Sequence, residues 1–324
     1  MNADPAEECA FHVSVVVPTY DNAEQLKRLL ASFDSLDTGQ TIEFLVVDDC
    51  SSDETEVVVR RWCTEPCSHV RRYIRLARNA GPAAARNEGA RQACGAVVAF
   101  TDTDCIVTPD WIDKLTKKLN IQQRIVGVGG RVLPFDPDET IARYNTEYHI
   151  LEPPASTLYL VSANCCFFRE PLLEVGGFAE EIPYPGGEDI ALCIKLWNAG
   201  WRFAFTDDAV IHHDYCPKWR NFCKTWYRYG FGSAFVSKHY LEHGGGEVHP
   251  IDSPTGEQGW YPNPLVLPKR PLKAIYHDIR GAFHMGYMRY GSRRVGAEFA
   301  LLRCLQLAIH RIAWQRGLKA DTCE

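Results

Sequence analysis

Ala96-Val-Val-Ala-Phe-Thr-Asp-Thr-Asp104 is a short apolar run that stops abruptly at two carboxylates. The segment from Ala96 to Thr101 is too brief for a buried helix and reads as a buried strand. Two upstream segments repeat the design. Phe11 to Val17 runs into Pro18-Thr-Tyr-Asp21, and Ile42 to Val47 runs into Asp48-Asp-Cys-Ser-Ser-Asp53. Between them, Asn22 to Phe33 carries Leu26, Leu29, Leu30 and Phe33 at helical spacing. Val70 to Leu76 follows a second helical stretch as a third strand, and Ala83 to Ala93 is again helical. Strands alternating with helices predict an α/β class built on a Rossmann-like, mostly parallel sheet. Such sheets receive ligands outside the carboxyl ends of their strands, where the acidic loops fall.

The second half of the chain changes character. Gly127 to Leu133, Leu158 to Phe168 and Phe203 to Ile211 read as strands, the last closed by His212-His213-Asp214. Ile190, Ile194 and Trp197 mark a helix. Residues 243–268 are rich in glycine and proline and read as a linker. Beyond it, Pro271 to Leu318 reads as helical, with Phe299, Leu302, Leu305, Ile309 and Ile312 on one apolar face. The expected division is therefore a catalytic domain over 11–240, the linker, and a basic amphipathic extension over 269–324.

Composition narrows the function classes. The chain has 324 residues, 46% hydrophobic and 23% charged, which fits one or two packed domains and excludes disordered or collagen-like chains. No apolar run approaches the roughly 18–20 residues of a bilayer span. The acidic start, Met1 to Glu8, lacks the basic and apolar regions of a signal peptide. The thirteen cysteines then read as reduced thiols in a cytoplasmic protein, and Cys63 and Cys67 lack the second pair of a zinc site. A net charge of −6 argues against a nucleic-acid partner. That average divides. Residues 269–324 carry 11 Lys and Arg against 4 acidic residues, and residues 1–268 carry 24 against 37. The cationic tail is read as a surface for docking, for dimerisation, or for peripheral contact with the inner face of a membrane.

Three constellations carry chemistry. Asp102 and Asp104 end a strand, and their hard oxygens suit Mg2+ or Mn2+ neutralising a diphosphate. In isolation such a pair is a solvated turn; here two more acidic loops end neighbouring strands. Gly186-Gly-Glu-Asp189 opens a helix, where Asp189 reads by itself as an N-cap or a first-turn carboxylate. His212 and His213, at a strand end, are donors to phosphate or ligands for Mn2+.

Taken in order, these segments resemble glycosyltransferase family 2, the inverting nucleotide-sugar transferases of GT-A fold. The resemblance rests on Val13 to Asp21, Phe44 to Thr55, Asn79 to Gly89, Asp102-Thr-Asp104, Ser162-Ala-Asn164, Val175-Gly-Gly-Phe178, Gly187-Glu-Asp189 and Val210-Ile-His212. One departure is Cys50, where the family has glycine. The resemblance implies a metal-dependent, inverting transfer of a hexose or N-acetylhexosamine from a UDP-sugar to a hydroxyl. The acceptor would be a glycan or lipid-linked saccharide, or alternatively a peptide or small natural product. Pro18, Thr19 and Asp21 would line the nucleotide pocket, and Asp48 or Asp49 would accept from a uracil ring. Arg86 would meet the base or diphosphate. Asp102 would face the ribose and the metal, Asp104 would be the direct ligand, and His212, or His213 in its place, would complete the shell. Asp189 would be the general base with Glu188 orienting the acceptor, and Gly186 and Gly187 would let that loop close. Asn164, Gly187 and His213 would line the sugar subsite. A non-catalytic module that only binds nucleotide-sugar or glycan is the rival from another class.

Overall fold

The computed structural model describes residues 13–151, 159–182, 184–241 and 272–319. The N-terminal segment through His12, Leu158, the expected linker 243–268 and Pro271 lie outside them. The described chain forms two compact units. One comprises residues 13–133, 159–180 and 189–213; the other comprises 134–151, 181–182, 184–188, 214–241 and 272–319.

The first unit alternates strands and helices as the apolar runs require. β1 (Val13–Thr19), α1 (Ala23–Phe33), β2 (Ile42–Asp48), α2 (Thr55–Thr64), β3 (Val70–Arg75), α3 (Pro82–Gln92) and β4 (Val97–Thr101) follow in turn. Then come β5 (Cys105–Val107), α4 (Trp111–Thr116), β6 (Ile125–Pro134), β7 (Asn164–Phe168), α6 (Arg169–Glu174), α7 (Glu188–Asn198) and β8 (Arg202–His213), with α5 (Thr140–Glu147) between β6 and β7. The strand order is β3-β2-β1-β4-β7-β6-β8-β5. β1, β2, β3 and β4 are parallel, as the βαβ pattern demands. The sheet then turns mixed: β7 is antiparallel to β4 and to β6, and β5 is antiparallel to β8.

Every residue of β1, β2 and β4 is buried, which explains why those segments read as unbroken apolar runs rather than alternating ones. α1 buries Leu26, Leu29, Leu30 and Phe33, and Phe33 stacks on Phe44 of β2 at 4.6 Å between ring centroids. Each such side chain taken fully out of water stabilises the fold by about 1.5–3 kcal/mol.

The second unit is helical around α5, α8 (Trp219–Val236), α9 (Leu272–Tyr290) and α10 (Arg293–Gly317). Its core joins Ile141, Tyr144, Phe222, Trp226, Phe299 and Leu302. The helical stretch expected from Pro271 to Leu318 divides at Gly291, whose φ of +64° is a left-handed value favouring glycine, and Ser292 caps α10. The buried face of α10 is also rotated from the expected one. Phe299 and Leu302 are buried, but Ile312 is 52% exposed, and Arg303, Gln306 and His310 lie inside. Arg303 donates to Gln306 Oε1 at 2.9 Å and Tyr144 bonds to the same oxygen, so the buried Gln306 carbonyl is satisfied by two donors.

Candidate active site

The site grows from the carboxyl ends of β1, β2 and β4. Thr19 stands opposite Asp48 in the β1–β2 register, and Asp48 opposite Arg75 in the β2–β3 register. The loops that follow are laced together. Asp21 Oδ1 accepts from the Ser52 amide at 2.6 Å, and these backbone contacts hold its carboxyl below the usual range. Ser51 Oγ accepts from the Asp21 amide, and Asp53 accepts from the Ala23 amide at 3.0 Å, closing the first turn of α1. Cys50 has a φ of +65°, a left-handed value that favours glycine, the residue the resemblance leads one to expect there; a side chain in that conformation costs about 1–2 kcal/mol.

The two aspartates of this loop are turned inward. Asp48 is fully buried: Tyr73 donates to its Oδ2 at 2.5 Å, Arg75 to the same atom at 2.7 Å, and the Ser51 amide to its Oδ1 at 2.8 Å. Burial and the bond to Asp48 push the Tyr73 hydroxyl up to about 12. Asp49 takes the amides of Ala80 and Gly81 at 2.7 and 2.8 Å, just before α3, and burial pushes its carboxyl up. Asp48 thus ties the end of β2 to β3, and Asp49 ties its loop to the turn before α3. Pro18 and Thr19 are buried in the strand end, with Thr19 Oγ1 lacking a hydrogen-bond partner.

Arg86, on α3 and 4% exposed, donates to Asp102 Oδ1 at 2.6 Å and lies over the Phe178 ring. Asp102 and Asp104 are half-buried on either side of buried Thr103. Because β5 pairs antiparallel with β8, Cys105 lies opposite His213 and Ile106 opposite His212. Neighbouring residues of a strand point to opposite faces, so only one histidine can join the acidic turn. His213 does: its Nε2 lies 3.4 Å from Asp104 Oδ1. Asp104, Cys105 and His213 form a group of potential ligands. A carboxylate and an imidazole at this spacing could hold Mn2+, and the carboxylates of this turn suit Mg2+ as well. Burial, with Asp104 and Asp102 adding to it, pushes the Cys105 thiol well up.

Asn164, expected at the sugar, is 1% exposed and consumed by the fold. Its Oδ1 accepts from Trp111 Nε1 at 2.8 Å, and its Nδ2 donates to the carbonyls of Arg131 and Ala209. Asp189 is the second residue of α7, half-exposed, with Oδ1 accepting from the Ile190 amide at 2.8 Å. In the second unit, Glu188 is buried and accepts from the Gly186 amide at 2.6 Å. Gly186 and Gly187 have φ of +126° and +101°, and a Cβ on Gly232 of α8 would sit 1.7 Å from the Gly186 carbonyl oxygen. Both glycines lie against the Gly232 backbone. Tyr73, Arg75 and Cys105 were not singled out by motif; only strand register brings them to the aspartates and to His213.

The structure is similar to a mannosyltransferase, PcManGT, from Pyrobaculum calidifontis, solved with GDP-Man and Mn2+, with a TM-score of 0.64 and 21% identity over 92% of this chain and 86% of that one. The fold is thus of the GT-A glycosyltransferase type. Residues 14–176 match the profile described as glycosyl transferase family 2, and residues 101–310 match glycosyl transferase family group 2. The chain belongs to glycosyltransferase family 2. It is 28% identical over 235 residues to a pre-mycofactocin glycosyltransferase of Mycobacterium tuberculosis, covering 68% of this chain and 46% of that protein. It therefore spans about half the length of that relative. It is also 28% identical over 238 residues to the glycosyltransferase AglE of Haloferax volcanii, covering 69% of this chain and 73% of the other. No helix among the described residues is long and apolar enough to cross a membrane.

Proposed function

We propose that this chain is a metal-dependent inverting glycosyltransferase that moves a hexose or N-acetylhexosamine from a nucleoside-diphosphate sugar to a saccharide or lipid-linked hydroxyl. The observation that carries it is the approach of His213 to Asp104 at the end of a GT-A sheet. Mn2+ or Mg2+ held there by Asp104 and His213, with Asp102 beside them, would act as a Lewis acid for the diphosphate. Arg86 fixes Asp102 and so presents the acidic turn. Asp189 is the general base: it takes the proton of the acceptor hydroxyl. The acceptor oxygen then bonds to the anomeric carbon as the bond to the diphosphate breaks on the opposite face.

UDP-sugars are the first donors to test. A GDP-sugar is the second reading, favoured because Asp48 and Asp49 spend their carboxylates on Tyr73, Arg75 and backbone amides rather than on a uracil ring. The testing variant is Asp189→Asn. It should abolish transfer while nucleotide affinity stays within about twofold, since a lost general base removes rate rather than binding. Undiminished transfer by this variant would contradict the base assignment.

A further inference from the structure

We infer that Asp104, Cys105 and His213 form a thiolate-containing metal site that selects Zn2+ over the hard ions. Asp104 leaves the turn after β4 and Cys105 opens β5, so two successive residues face the same strand end. Cys105 is the direct antiparallel partner of His213, which places their side chains on one face of the pair. Cys105 Sγ lies 3.9 Å from Asp104 Oδ1, and His213 Nε2 lies 3.4 Å from that same oxygen. One ligand atom from each of the three lies within 4.8 Å of the others.

Those separations suit zinc. With Zn–S near 2.3 Å and Zn–N and Zn–O at about 2.0–2.2 Å, neighbouring ligand atoms of a tetrahedron stand about 3.3–3.6 Å apart. His213 Nε2 and Asp104 Oδ1 already stand at that spacing, whereas the sulfur-to-imidazole pair, within 4.8 Å, closes to form one face by rotation of the side chains, and three protein ligands leave the fourth position open. Mn2+ and Mg2+ favour oxygen ligands and gain little from sulfur, whereas imidazole and thiolate both suit Zn2+. On binding, the Cys105 thiol releases its proton to solvent and the thiolate bonds to the metal, with no change of oxidation state. Where the proposed transferase reading holds, Zn2+ and the activating ion compete for Asp104 and His213, so Zn2+ inhibits. That consequence rests on the functional reading; the site itself does not.

Co2+ titrated into the full, metal-stripped, reduced chain is the probe. One equivalent should produce a thiolate-to-cobalt charge-transfer band that Zn2+ abolishes. The band should vanish in Cys105→Ser, with circular dichroism reporting its fold, and survive in Cys63→Ser/Cys67→Ser. If the Cys105 variant fails to fold, His213→Ala replaces it and must lose most of the band. Cobalt binding without a sulfur band, or a band that survives Cys105→Ser, overturns the inference. In the assay, the Zn2+ concentration that halves Mn2+-supported transfer should rise by about tenfold or more in Cys105→Ser. An equal zinc sensitivity of the two proteins contradicts the shared site. A sulfur band without any Mn2+-supported transfer upholds this metal site and overturns the functional reading instead.

Discussion

Arg86 Nη2 donates to Asp102 Oδ1 at 2.6 Å, tying the middle of the α3 region to the acidic turn that follows β4. The guanidinium is 4% exposed and the carboxylate 28%, so water screens this pair less than a surface ion pair. Arg86→Leu strands the Asp102 carboxylate. It should lower the free energy of unfolding by about 2–4 kcal/mol and weaken divalent-metal binding, because the turn loses its anchor. Denaturant titration and metal-binding calorimetry read the two effects, and a variant with wild-type stability and metal affinity would contradict the clamp.

His310 gives the second unit a pH-dependent stability. It is buried beside Trp226 and Trp314, and burial, with Arg303 adding to it, pushes its imidazole down from 6.5 to about 4. The folded state therefore refuses a proton that the unfolded chain accepts. Stability from this group is complete above pH 6.5 and is lost as the pH falls from there to about 4. The loss approaches about 3 kcal/mol at the acid end. His310→Phe should flatten the unfolding midpoint across that window; parallel curves for the two proteins would rule the effect out.

Gly232 has no room for a side chain. A Cβ would lie 1.7 Å from the Gly186 carbonyl oxygen, a backbone atom that cannot swing aside. Gly232→Ala should displace the 186–187 segment and cost about 1–3 kcal/mol. Thermal unfolding measures it. A variant as stable as the wild type would show that this backbone yields freely.

The parallel half of the sheet was legible because β1, β2 and β4 bury both faces and so appear as continuous apolar runs. β5 was not, since Cys105-Ile-Val107 is shorter than any periodic pattern, yet its register decides which histidine reaches Asp104. The acidic loops were legible as a site, but the partners of Asp48 sit on β3, and no local pattern couples Tyr73 and Arg75 to an aspartate on the adjacent strand. Likewise the apolar spacing of α10 points at Ile312, whereas Arg303 and Gln306 are buried through bonds that only the folded neighbours supply. Asn164 shows the same limit: a motif residue at the right place, held by Trp111 and two carbonyls.

Metal-dependent turnover of the donor tests the role of Asp104 and His213 most directly. Donor consumption and product formation should be followed with a panel of UDP- and GDP-sugars, in EDTA and across a Mn2+ titration, for the wild type and Asp104→Asn. The expected result is no turnover in EDTA, recovery with Mn2+ in the wild type, and an apparent Mn2+ affinity lowered about 10–100-fold in the variant. Full turnover in EDTA, or an Asp104→Asn protein with the Mn2+ dependence of the wild type, would contradict it.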